Sequence, residues 1–100
     1  MTLLQAFLND TIDAQDFDQR AHVIVGFEIL RSHTTKDATA IYARHLKALT
    51  IRAGAPEKFS AKITEHALSL IASRMSGDED AAAFLDQNPD LLNSKSFRSD

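Results

Sequence analysis

"FDQRAHVIVGFEILRSH", residues 17–33, holds the longest apolar run in the chain, with a histidine near its start. Asp18 has the side chain of a helix N-cap, and the run continues to about Ser32 without the period-two alternation of a strand. On a helical wheel Arg20, Glu28, Arg31 and Ser32 gather on one side, while Val23, Val25, Phe27, Ile29 and Leu30 spread over the other. Gln19, His22 and Gly26 project into the middle of the apolar side, and the two polar residues need a reason to be there.

The same cap and stop signals divide the rest of the chain. Thr2 can cap a short first helix reaching about Asn9, with Leu3, Leu4, Phe7 and Leu8 as its apolar face, and "DTIDAQDF" (10–17) reads as a connector. Thr34 or Thr35 caps a third helix ended by Gly54, with Pro56 beyond it. Ser60 caps or begins a fourth, stopping near Gly77, and Asp78 or Asp80 starts a fifth, "DAAAFLDQ", ended by Asn88-Pro89. The predicted class is all-α: a small bundle of about five helices around three antiparallel neighbours, helices two to four, joined by short connections. One domain over residues 1–93 accounts for the chain, "LLNSKSFRSD" reading as a fraying end and residues 94–100 as a partly disordered tail.

Composition narrows the function classes. Apolar residues are 44% and charged residues 25% of the 100, which is the balance of a soluble globular domain. The net charge is -3 and the 11 Lys and Arg form no cluster, so nucleic acid is not an expected partner. No apolar run approaches the ~20 residues of a membrane span, and the N-terminus lacks a basic leader segment, so no membrane partner and a cytoplasmic location are the expectation. Without cysteine, any metal would need His or carboxylate ligands. HExxH, Glu-x-x-His, GxSxG and P-loop motifs are all missing, and neither a metal nor a cofactor is expected.

On helix four, Lys62, Glu65, His66, Ser69 and Ser73 make the wet face, and the core stripe centres on Ile71 with Ala67, Leu68 and Met75. Ser60 and Thr64 fall inside that stripe. If helices two and four run parallel, Gln19, His22, Ser60 and Thr64 meet at one end of the bundle and form a polar pocket. Unpaired N–H groups at helix starts would then favour a small polar or anionic ligand. The plainer alternative is a closed knot of hydrogen bonds, with Ser60 and Thr64 acting only as caps. His45 reads as a boundary residue, His66 as a surface residue and His33 as a helix-ending one.

"FDQRAHVIVGFEILRSH" followed by "AGAPEKFSAKIT" (53–64) resembles a small bacterial all-helical family of uncharacterised proteins whose members carry FxHxxH and, after a Gly-containing turn, YHxTxT. The similarity runs from about Leu4 to Leu92. Phe17, His22 and Thr64 match; Gln19 and Ser60 stand at histidine positions, Phe59 at the tyrosine and Lys62 at the first threonine. The resemblance implies a shared histidine site of metal or acid–base character, of which this chain, as a divergent member, keeps one imidazole.

Three functions follow as expectations. One is a domain binding a small polar ligand through Gln19, His22, Ser60 and Thr64. Another is an interaction or structural module, working as a homodimer through an apolar face on helix one or on "AAAFL". The third is a divergent enzyme using His22.

Overall fold

Each α-helix begins at a side chain able to take up an orphan backbone N–H. The computed structural model describes residues 2–93. In it α1 (Leu3–Leu8) starts at Thr2, whose hydroxyl accepts from the Gln5 N–H while the Gln5 side chain accepts from the Thr2 N–H. α2 (Gln19–Ser32) starts at Asp18, α3 (Thr35–Arg52) at Thr34, α4 (Ala61–Arg74) at Ser60 and α5 (Ala81–Gln87) at Asp80. Each of these caps accepts a hydrogen bond from the backbone N–H three residues on. Single-turn 3-10 segments occupy Ala14–Asp16, Pro56–Lys58 and Pro89–Leu92, and no strand occurs among the described residues. The described residues therefore form an all-α bundle with five α-helices, as the periodicity predicts.

Helix ends follow equally local rules. Gly54 takes a φ of 75° just past α3, and Gly77 a φ of 93° past α4, a region that side chains with a Cβ rarely enter. The ring of His33 donates from Nδ1 to the Ile29 carbonyl, closing the last turn of α2. Between α4 and α5, buried Glu79 accepts from the Ser76 N–H at 3.0 Å and from its hydroxyl, which satisfies the carboxylate inside the loop.

α2 is the hub: it touches α1, α3, α4, α5 and the final 3-10 turn. Val23, Val25, Phe27, Ile29 and Leu30 are all buried, so its apolar side serves several neighbours at once. Gly26 marks the closest approach to α4. A Cβ there would lie 3.1 Å from Ile71 Cδ1 and 3.8 Å from Leu68 Cδ1, so the bare backbone lets Ile71 and Leu68 settle against α2. α3 turns back along α2, bringing Leu46, Leu49 and Thr50 beside His22.

One sequence expectation changes. "LLNSKSFRSD" does not begin as a fraying end, because Leu91 is fully buried in the core and Arg74 grips Asp90 at 2.8 Å beneath it. Pro89 sets up the 3-10 turn that delivers this leucine. The tail expected at residues 94–100 lies outside the described residues. Helices one and five turn their largest apolar side chains inward, with Phe7, Phe84 and Leu85 buried and Phe84 packed on Phe27 at a ring-centroid distance of 4.9 Å, while Leu8 of α1 is 37% exposed. Among the described residues no helix is long and apolar enough to cross a membrane.

Candidate functional site

The start of α2 fixes His22 before any tertiary contact is considered. With Asp18 as N-cap, Phe17 is the residue before the cap and His22 the fourth helical residue, the two positions that staple a helix start by side-chain contact. Their rings meet at a centroid distance of 4.3 Å, the imidazole taking the place usually held by an aliphatic side chain. Phe17 in turn stacks on Phe7 at 5.0 Å and 8°, which ties α1 to the same cluster.

From this anchor the imidazole reaches α3. Its Nδ1 lies 2.8 Å from the hydroxyl of buried Tyr42, and that hydroxyl also donates to the His22 backbone carbonyl at 3.3 Å. Burial lowers the His22 pKa to about 4 against a smaller opposing pull from the Asp18 carboxylate, so the ring is neutral at ordinary pH. Burial also pushes the Tyr42 phenol upward, and it stays protonated.

Among the described residues Nε2 has no hydrogen-bond partner, yet no buried side-chain polar atom is left unpartnered. The atom therefore keeps some exposure to solvent, and His22 is among the residues that line a cleft. This cleft, of about 290 Å³, is walled by Ala14, Phe17, Leu46, Leu49, Ala53 and Ala55, with Thr50 and Lys58 as its further polar members. Thr50 spends its hydroxyl proton on the Lys47 carbonyl at 2.8 Å. Lys58 is exposed, makes no ion pair among the described residues, and is the one charged residue among those lining the cleft.

The connector below the cleft is held by a separate polar cluster. Asp10 sits at a φ of 57°, with its carboxylate 3.0 Å from His45 Nδ1 and 3.5 Å from an Arg52 guanidinium nitrogen. The hydrogen bond from His45 keeps the Asp10 carboxyl below its usual range. Arg52 also donates to the Ile12 carbonyl at 3.0 Å, so the path from α1 to Ala14 and Phe17 is pinned to α3.

Of the four residues singled out from the sequence, the structure brings two together and separates the others. Ser60 and Thr64 are bonded: the Thr64 hydroxyl donates to the Ser60 carbonyl at 2.8 Å, and Ser60 caps α4. Gln19 turns the other way, its Nε2 donating to the Leu91 carbonyl at 2.8 Å. His22 alone of the four lines the cleft just described. Tyr42, Thr50 and Lys58 were not legible as its companions, because their relation to His22 is set by the antiparallel return of α3 and by the 3-10 turn after it. The staple spacing of Phe17 and His22 was the available local signal.

Among the described residues no group of three or more His, Asp or Glu side chains is placed to hold a metal ion. Comparison of the chain with family models, with curated proteins and with solved structures finds no match in any of the three.

Proposed function

We propose that the protein binds a small, largely apolar molecule in the cleft between the start of α2 and the end of α3, gripping it by one hydrogen bond to His22. The observation that carries this reading is the imidazole itself: one ring nitrogen is spent on Tyr42, the other is left without a partner among the described residues, and the ring belongs to a cleft walled mostly by apolar side chains. Apolar walls with a few placed polar groups are the usual make-up of a small-molecule site, and about 290 Å³ stands at the small end of the roughly 300–1,000 Å³ such sites span. Lys58 at the rim disfavours a cationic ligand.

Binding fits the electrostatics better than proton transfer. A general base works best with a pKa near the operating pH, and an imidazole held at about 4 is a weak proton acceptor at neutral pH. Gln19, Ser60 and Thr64 enter this reading as supports that fix α2 and α4 through their own hydrogen bonds.

A thermal-shift screen with small alcohols, amides and carboxylates tests the proposal. A ligand at ten times its Kd adds about 1.4 kcal/mol, which for a domain of this size is a rise on the order of 6–11 °C. Ala53→Trp, which fills the cleft from its wall, and His22→Ala should both lose that rise while keeping their far-UV circular dichroism. A panel without any stabiliser, or one whose effect survives both substitutions, overturns the reading.

A further inference from the structure

We propose that the cleft selects ligands that donate a hydrogen bond: Tyr42 holds His22 as the Nδ1–H tautomer, so Nε2 meets the ligand as an acceptor. This rests on the binding site argued above and names the chemical class it takes, a compact apolar molecule ending in an O–H or N–H group, such as an alcohol, a phenol or a primary amide.

Tyr42 has one hydroxyl proton and two neighbours, the His22 carbonyl at 3.3 Å and Nδ1 at 2.8 Å. A carbonyl oxygen can only accept, so making that bond uses the hydroxyl proton. Nδ1 must then be the donor in the shorter contact, with the phenol oxygen accepting. A neutral imidazole carries a single N–H, and with it on Nδ1 the lone pair is on Nε2. The reverse tautomer makes one of the two bonds and gives up the other. The second proton that would turn both nitrogens into donors is refused by the same burial that keeps the ring neutral.

The companions of Nε2 in the cleft sharpen the selection. Phe17, Leu46, Leu49 and three alanines offer it no competing donor, and the Thr50 proton is already committed to Lys47. A ligand with a donor completes the imidazole nitrogen that the walls leave unpartnered, while the exposed Lys58 ammonium can keep its own hydration. A ligand of the same shape without one covers that lone pair and removes its water, leaving a desolvated acceptor unpaired.

Benzyl alcohol and benzyl methyl ether, in which a methyl group replaces the donor hydrogen, are titrated against the ¹⁵N-histidine-labelled full chain by NMR, with Tyr42→Phe measured in parallel. The alcohol is expected to bind roughly 5- to 150-fold more tightly than the ether, the range for an unmet buried acceptor. The ring nitrogens of His22 in the free protein should show the proton on Nδ1. In Tyr42→Phe, which keeps the aromatic ring and loses the hydroxyl, that preference and the discrimination between the two ligands should both shrink. Equal binding of the pair at His22, or a proton on Nε2 in the free protein, overturns this inference and leaves the site itself standing. Failure of every ligand to perturb His22 removes the site and the inference together.

Discussion

Acidification below pH 6.5 should destabilise this protein chiefly through one side chain. His22 has its pKa lowered from 6.5 to about 4 by burial at the start of α2, so the unfolded chain binds a proton there more readily than the folded one. The unfolded state thus carries more protons between those two values, and stability rises with pH across that window. The contribution is fully present above 6.5 and is lost as pH falls toward 4. At about 1.36 kcal/mol per pH unit the whole window is worth ~3.4 kcal/mol, and linkage gives about 2.5 kcal/mol between pH 7.5 and 4.5. Against the 5–15 kcal/mol typical of a whole domain, that is a large share. The lowered carboxyls of Asp10 and Asp90 act in the opposite corner: their contribution is present above 3.8 and disappears only below it, outside this window. Urea unfolding followed by circular dichroism at several pH values reads the slope directly. His22→Asn is the control, since an amide N–H near the place of Nδ1 can still reach Tyr42 but does not titrate. The wild type should lose about 2.5 kcal/mol from pH 7.5 to 4.5 and the variant a small fraction of that. Parallel losses in the two proteins would show that His22 is not the buried neutral imidazole described.

Two further outcomes follow from the packing. Gly26→Ala gains about 1 kcal/mol of helix propensity but forces a Cβ to 3.1 Å from Ile71 Cδ1, an overpacking cost of roughly 1–3 kcal/mol, so a net loss near 1 kcal/mol is expected in thermal unfolding. Ile71→Val removes that Cδ1, and the double variant should be more stable than the sum of the single losses by at least ~0.5 kcal/mol; strict additivity refutes the contact. Leu91→Ala should cost about 2–5 kcal/mol while Leu92→Ala, at a residue 45% exposed, stays within about 0.5. Similar effects at both leucines would mean that the final 3-10 turn is not seated as described.

What the sequence made legible was whatever depends on neighbours within one helical turn. Thr2, Asp18, Ser60 and Asp80 all cap as their chemistry suggests, because a cap bond spans three residues and needs no tertiary partner. The stretches 17–33 and 53–64 contain helix starts of one design, a phenylalanine before the cap and a polar residue at the fourth helical position: Phe17, Asp18 and His22 in α2, and Phe59, Ser60 and Thr64 in α4. The wheel placed Gln19 and His22 on the buried side correctly. It could not assign their partners, since three residues of helix turn the side chains by about 60°, enough to send one to Leu91 and the other to Tyr42. Leu91 was misread for a related reason: one leucine in a short turn has no periodicity, and only the space between α2 and α5 reveals its place.

The bond from Gln19 to Leu91 joins residues 72 apart, so α2 is synthesised well before its last support. At roughly 5–20 residues per second, α2 waits on the order of 4–15 s on the ribosome for the turn that closes over it. During that interval the apolar side of α2 has α1, then α3, then α4 to cover it, but not Phe84 or Leu91. The nascent chain should therefore resist protease in steps, with full protection arriving only once residue 91 has left the exit tunnel.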